Sequence, residues 1–316
     1  MQLIASQRPK RAATDKIDFR ILSVLQRDGR ISNLKLAEEV HLSPSAVLGR
    51  VKRLQQDGYI LGYQARLNPE KLGMGMAAFV EVVFDRTASD VMEGFRAAVQ
   101  ATPAILECHL IAGGFDCLLK VLVSDMGSCE EQVAQAVGAL PGVRSTRTYT
   151  VMEQVDRSRS AGAEPAIDAI DAQLLRLLQA DGRITLARLA DAVGLSAASV
   201  HERVSHLRRK GFILGYEAVL NQAKLNSDLL VFAEVALVEP SASTGRALKA
   251  AVQARDEIIE CHEVAGGFDY LIKTRVRDMQ HYRELAESVV WRLPGVRDVR
   301  TYAVIDEMKN TARIPL

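Results

Sequence analysis

Two stretches of this chain carry side chains suited to work on a phosphate backbone. Ser43, Ser45, Ala46, Leu48, Gly49, Lys52 and Arg53 lie off the apolar stripe of Val47, Val51 and Leu54, and Arg50 flanks that stripe within reach of a phosphate. Such a set on one helix face fits base edges and phosphates in a DNA major groove. The same positions recur as Ser196, Ala198, Ser199, His201, Glu202, Ser205 and His206, with Arg203 in the place of Arg50. Glu202 replaces Gly49 and would repel phosphate or accept from a cytosine amino group. Lys52-Arg53 becomes Ser205-His206, while Gln55-Gln56-Asp57 becomes Arg208-Arg209-Lys210. The two copies are therefore expected to prefer different half-sites of an imperfect palindrome. Arg8, Lys10, Arg11 and Lys16 form a basic arm that would lie along the backbone.

A second pair of motifs has binding chemistry. Both copies carry AGGFD, at residues 112–116 and 265–269. Asp116 and Asp269 each open a mostly apolar strand, where an unpaired carboxylate is costly, and a ligand ammonium group would satisfy them. A turn needs the Gly-Gly in any case, and the Asp can cap backbone N–H groups instead; both accounts stand at this stage. Glu107-Cys108-His109 and Glu260-Cys261-His262 also repeat. Adjacent Cys and His on a strand point to opposite faces and cannot share one metal, so His109 and His262 are expected at an interface between sheets. Lys120 and Lys273 fall on the same sheet face as their Asp, which fits an ion pair or a solvated face. The cysteines, Cys108, Cys117, Cys129 and Cys261, form no CxxC pair. They read as reduced thiols of a cytosolic protein, with no disulfide framework, metal or cofactor.

These residues need elements to hold them. The chain repeats itself at a constant shift of 153, from Asp18 to Asp171 and from Tyr149 to Tyr302. The expectation is that each unit folds by itself, and that the chain carries internally what a homodimer supplies with two chains. Ile17, Ile21, Leu22 and Leu25 predict a helix over 15–27, ended by Asp28-Gly29. Ser32 caps a short second helix. His41-Leu42-Ser43 makes a tight turn, and Ser43 caps a third helix with Pro44 at its first position. Gly58 stops it, and a short hairpin follows over 59–63. That is a winged helix-turn-helix.

The back half of each copy alternates differently. Strands are expected over 77–84, 105–111, 115–123 and 143–155, with helices over 91–101 and 129–140. The order βαββαβ is the ferredoxin-like sandwich, whose free sheet face must pair with another sheet; the second copy provides one. The fold class is α+β: two copies of a winged helix-turn-helix domain followed by a βαββαβ sandwich. The domains fall at 1–68 and 69–155, then 167–221 and 222–309. A polar linker over 156–166 separates the copies, and the tail over 310–316 is expected to fray.

Charge agrees with this division. Residues 1–68 hold 12 Lys/Arg against 6 Asp/Glu, and residues 69–155 hold 6 against 11. The second copy runs 7 against 5 over 171–221 and 13 against 14 over 222–316. A basic front suits a phosphate backbone and an acidic back does not. No apolar run reaches the ~18 residues of a membrane span, and the first residues lack the apolar core of a secretory signal. A cytoplasmic, nucleoid-associated location is expected.

Together DxxDxxILxxLQxDGRIS, LAxxVxLSxSxVxxRVxRL, GxIxGYxAxLN, ECHxxxGxxDxLxKV and LPGV resemble the Lrp/AsnC family of transcription regulators, over nearly the whole chain and twice. The resemblance implies a helix-turn-helix joined by a strand to a ligand-binding sandwich called the RAM domain. It implies double-stranded DNA and an amino-acid effector as partners, and a homo-oligomer, here of pseudo-dimeric chains. Carried over by match, Gly113, Gly114, Asp116, Gly266, Gly267 and Asp269 are effector-turn candidates. Ser124, Asp125 and Met126 could close that pocket, as could Arg277, Asp278 and Met279. The expected function is a sequence-specific DNA-binding regulator, not an enzyme. Siroheme decarboxylases resemble the same architecture and give one alternative, and a DNA-free amino-acid sensor gives another.

Overall fold

The computed structural model describes residues 14–85, 89–154, 167–225, 227–239, 241–293 and 295–316. Arg8, Lys10 and Arg11 of the basic arm and the linker 156–166 lie outside the described residues.

The first head is α1 (Lys16–Arg27), α2 (Asn33–Val40) and α3 (Pro44–Gln56). Asp15 and Asp18 form a reciprocal capping box at the start of α1. Ser32 and Ser43 accept from backbone N–H groups to cap α2 and α3. His41 ends α2 in the left-handed conformation, at φ 57°; Gly194 takes that place in the second head. Ile21, Leu25, Leu36, Val47, Val51 and Leu54 fill the space between the helices.

The hairpin expected over 59–63 is not formed. A single strand, β1 (Ile60–Leu67), follows α3. The chain then builds β2 (Met76–Phe84), α4 (Ser89–Ala101), β3 (Ile105–Ala112), β4 (Cys117–Val123), α5 (Cys129–Val137) and β5 (Val143–Gln154). The second copy repeats the order. Its head is α6 (Ala169–Ala180), α7 (Leu186–Val193), α8 (Ala197–Arg209) and β6 (Ile213–Leu220). Then come β7 (Leu229–Leu237), α9 (Ala242–Gln253), β8 (Ile258–Ala265), β9 (Tyr270–Val276), α10 (Met279–Ser288) and β10 (Val296–Asn310).

β1 pairs with β6, antiparallel, with Tyr63 opposite Ala218 and Ala65 opposite Tyr216. The buried residues of this ribbon share one face, and its two ends serve opposite heads. Ile60, Tyr63, Ala218 and Leu220 bury into the first head. Ala65, Leu67, Ile213 and Tyr216 bury into the second. Each head borrows a strand from the other copy to close its core, so the copies do not fold as separate units.

The two Asp-Gly-Arg turns clasp this ribbon. Gly29 N–H donates to the Tyr216 carbonyl at 2.6 Å, and Gly182 N–H to the Tyr63 carbonyl at 2.7 Å. Arg30 Nε donates to the Gly182 carbonyl at 2.5 Å and Arg183 Nε to the Gly29 carbonyl at 2.7 Å. The guanidinium groups sit 3.9 Å from the ring centroid of Tyr216 and 3.7 Å from that of Tyr63. A Cβ on Gly29 would lie 2.8 Å from the Glu217 backbone, and one on Gly182 2.7 Å from the Gln64 backbone. Glycine is required here by close approach.

The two βαββαβ units do face each other through their helix-free sheet faces, and they also join at both edges. β10 pairs with β3 and β5 pairs with β8, which closes a barrel in the order β10-β3-β4-β2-β5-β8-β9-β7. Closure removes the open edges that would otherwise invite aggregation. Phe79, Phe232, Leu118, Leu271, Ile111 and Val264 pack its middle. The helices cover the outside through Phe95, Val99 and Val133 in the first copy and Leu248, Tyr282 and Leu285 in the second. The tail does not fray. Ile314 is buried against α6, its N–H donates to Gln179 Oε1 at 2.7 Å, and Arg176 Nε donates to the Leu316 carbonyl at 2.9 Å. Apolar Ile314 and Leu316 cover the side of the second head.

Candidate functional site

The outward face of α3 carries Ser43, Ser45, Ala46, Leu48, Gly49 and Lys52, all exposed, while Val47, Val51 and Leu54 point inward. On α8 the exposed set is Ser196, Ala198, Ser199, His201, Glu202 and His206, with Ser205 half-buried. Arg208, Arg209 and Lys210 extend that face. Most of the candidate DNA-contacting side chains thus share one exposed surface per head.

The arginines sit differently from expectation. Arg50 Nη1 donates to Asp15 and to Asp18, each at 2.8 Å, and Arg53 also pairs with buried Asp18. Arg203 Nη1 donates to Asp168 at 2.7 Å and Asp171 at 2.9 Å. Hydrogen bonds to these carboxylates hold the Arg50 and Arg203 guanidiniums above their ordinary range. They are struts between the first and third helices of each head, and their charge is already committed. Asp15, Asp18, Asp168 and Asp171 were missed as partners, although DxxD stands in both copies.

At the barrel end away from the heads, the AGGFD turns expose Gly113, Gly114, Gly266 and Gly267. Asp116 Oδ2 accepts from Phe84 N–H at 2.7 Å, and Asp269 Oδ2 accepts from Leu237 N–H at 2.7 Å. Each carboxylate thus caps the end of the neighbouring strand, the turn-chemistry account of these residues. A Cβ on Gly113 would lie 2.9 Å from the Tyr302 ring, and one on Gly266 2.5 Å from Tyr149. Phe115 stacks on Tyr302 at 4.8 Å and Phe268 on Tyr149 at 4.6 Å. So each turn rests on an aromatic ring of the other copy. At the far ends of β4 and β9 from the turns stand Asp125 and Asp278, so the structure does not bring them together with the Asp of their own turn. There Ser128 Oγ and Ser124 Oγ donate to Asp125, which holds that carboxyl down at about 2. Arg277 Nε reaches Asp278 at 2.8 Å. Met126 and Met279 are exposed.

Beneath the turns, Tyr149 donates to Glu81 at 2.8 Å, and Glu234 is hydrogen-bonded to both Tyr302 and Glu81. Burial, and then the charge of Glu81, push the Glu234 carboxyl up to about 7. The negative charge of Glu81 thus favours a proton on Glu234. A folded value above the unfolded one favours the fold in full below the unfolded value of 4.5, and that contribution is lost as pH rises towards 7. The melting temperature of wild type is expected to fall by a few degrees more than that of Glu234→Gln between about pH 5 and about pH 8. Parallel curves in differential scanning calorimetry would remove the raised Glu234 value from this account.

At the opposite end of the barrel, under the ribbon, lies a square of alternating charge. Lys273 Nζ is 2.6 Å from Glu107 and 3.2 Å from Glu260, while Lys120 Nζ is 3.6 Å from Glu107 and also pairs with Glu260. His109 Nε2 meets Glu107 and His262 Nε2 meets Glu260, both at 2.8 Å. Burial pushes both carboxyls up, but the two lysines more than offset it and hold them well below the usual range. Burial and Lys120 lower His262, which keeps it neutral. The lysines therefore pair with glutamates across the copies, not with Asp116 and Asp269. His109 and His262 do line the interior between the sheets, packed on Phe232 and Phe79. All four thiols are free and buried. Among the described residues no helix is long and apolar enough to cross a membrane.

Comparison with known proteins agrees with this layout. Residues 77–161 and 230–314 match the Lrp/AsnC ligand binding domain. Residues 14–60 match a winged helix-turn-helix DNA-binding domain and residues 167–208 an AsnC-type helix-turn-helix domain. Over 144 residues the chain is 50% identical to the leucine-responsive regulatory protein of Salmonella typhimurium, spanning 46% of this chain and 88% of that protein. It is 49% identical over 144 residues to the Escherichia coli K12 protein of the same name, with the same coverage. The siroheme decarboxylase NirDL superposes with a TM-score of 0.64 at 14% identity, covering 95% of this chain and 94% of that one; the likeness is one of fold.

Proposed function

The chain belongs to the Lrp/AsnC family, and from that premise we infer that it reads DNA with both heads and answers to an amino acid at its outer turns. It is a DNA-binding, amino-acid-responsive transcriptional regulator. The observation that carries the two-headed reading is the ribbon of β1 and β6, which fixes α3 and α8 in one rigid frame. Two helices held at a set spacing fit two half-sites on one duplex. Ser43, Ser45, Ala46 and Gly49 read one half-site with Lys52 on its phosphates, and Ser196, Ser199, His201, Glu202 and His206 read the other. Arg50, Arg53 and Arg203 shape the heads and touch DNA only if an aspartate releases them.

The effector is an amino acid, seated by Gly113, Gly114 and Asp116, and in the second copy by Gly266, Gly267 and Asp269. Asp125 and Met126, like Asp278 and Met279, stand at the far ends of β4 and β9 and join a turn only from another chain. Leucine is the first candidate, because the relatives named above are leucine-responsive. The turns face outward, so pseudo-dimeric chains assemble through them into a homo-oligomer, and the effector shifts that assembly by binding one arrangement more tightly. The protein needs no cofactor, works as a regulator and not an enzyme, and acts on the nucleoid.

Lys52→Ala is expected to weaken binding to all sequences alike, and to lower the slope of log K against log salt by about 1. Asp116→Ala with Asp269→Ala is expected to abolish the leucine response of a gel shift while leaving leucine-free retardation intact. An unchanged response in that double variant would move the effector away from the turns.

A further inference from the structure

The pseudo-symmetry of the chain fails in one place. On one side of the barrel Leu106 and Leu122 are buried against the second head. Their counterparts on the other side are Ile259, 39% exposed, and Arg275, which is engaged with Glu307 at 2.6 Å. Both pairs line one cavity of about 1720 Å³ between the ribbon and the charged end of the barrel, and the Ile259 side is its less covered wall. Its walls include Leu61, Leu214, Met152 and Ile259, which are among the large apolar side chains most exposed on the chain. Its floor is the charge square, which offers both signs within a few ångströms and carries no net charge.

One atom on that floor lacks a partner. His262 is 2% exposed and lines the cavity. Its Nε2–H donates to Glu260, so the Nδ1 lone pair remains, and it has no hydrogen-bond partner. A buried acceptor without a donor is unfavourable by about 1–3 kcal/mol, and an ammonium group entering from the cavity on the Nδ1 side would satisfy it.

We propose that this cavity is a second small-molecule site, distinct from the outer turns, which takes a zwitterion with an apolar body. The ammonium group donates to His262 Nδ1, the carboxylate meets Lys120 or Arg275, and the apolar body lies along Leu61, Met152 and Ile259. Free apolar amino acids and short apolar peptides share this chemistry. A ligand here touches the head ribbon and the barrel at once, whereas the turns touch only the far end. The proposal deepens the effector reading above by adding a site inside one chain.

Calorimetric titration of the full chain with L-leucine, L-phenylalanine and L-leucyl-L-leucine tests it. Four proteins are compared: wild type, Asp116→Ala with Asp269→Ala, Met152→Trp, and Lys120→Met. The expected result is a binding event that survives the turn substitutions and weakens at least about tenfold in Met152→Trp, which fills the cavity without touching a charge. Stronger heat from the dipeptide than from either amino acid identifies the peptide source, and the reverse identifies the free amino acid. Lys120→Met tests the carboxylate contact, and circular dichroism checks that it is folded. Binding lost entirely with the turn substitutions overturns the cavity and leaves the outer-turn reading standing. No heat with any probe also overturns it, and the gel shift then decides the regulator reading separately.

Discussion

Replacing Lys273 by methionine is expected to destabilise the chain by about 3–5 kcal/mol, because it strips a buried ion pair of one partner. The Lys273 side chain is 4% exposed and binds Glu107, 6% exposed, and Glu260. Burial alone would lower its ammonium value, yet the two carboxylates raise it above the ordinary range. Methionine matches its length and leaves Glu107 with His109 Nε2 at 2.8 Å and, as its one remaining cation, Lys120 at 3.6 Å. The remaining carboxylate must then stay charged in an apolar wall or take up a proton. Adding Glu107→Gln to Lys273→Met should restore most of the loss, since the desolvated charge is gone. Chemical denaturation of both variants checks this. Equal midpoints for wild type and Lys273→Met would show that the charge square contributes nothing to the fold.

Alanine at Gly29 and Gly182 is expected to act on DNA binding more than on folding. Each new methyl group would sit within 3 Å of backbone on the opposing strand, at 2.8 Å and 2.7 Å. Backbone cannot rotate away as a side chain can, so the turns must lift off the ribbon at about 1–3 kcal/mol each. The carbonyl contacts of Arg30 and Arg183 go with them. The heads then lose their fixed relation, and the second head no longer binds as a tethered neighbour of the first. Affinity for a two-half-site duplex should drop about 10²-fold towards that of one head, while affinity for an isolated half-site stays near wild type. Fluorescence anisotropy on both duplexes measures this. A matching loss on the half-site would place the damage inside the heads.

Much of this was legible in the chain. Ser43-Pro44 and Ser196 announce helix starts through capping chemistry that works over three residues. The alternation of 77–84 and the helical spacing of 91–101 identify a sandwich through contacts that are local in sequence. What escaped was partner choice over long separations. Ile60 to Leu67 is strand-like, but no property of those residues says that their mate lies at Ile213 to Leu220. Residues 59–63 suggested a local hairpin where the strand crosses to the other copy. Lys120 stood out, yet its carboxylate was sought on its own strand, at Asp116, when the partners stand on β3 and β8. The DxxD pairs were visible and repeated. Read against Arg50 and Arg203 in the same register, they would have shown that those arginines are engaged. The tail offered a signal as well, since Ile314 and Leu316 are apolar in a polar stretch.

The account rests most directly on duplex recognition by the paired heads. Anisotropy of the intact chain on its own upstream region, against a scrambled duplex of equal length and across a salt series, is the measurement. The expected result is binding to the upstream duplex at least about 10³-fold tighter than to the scrambled one, a steep fall in affinity with salt, and a shift when leucine is added. Equal affinity for both duplexes, or no binding even at low ionic strength with and without leucine, would contradict it.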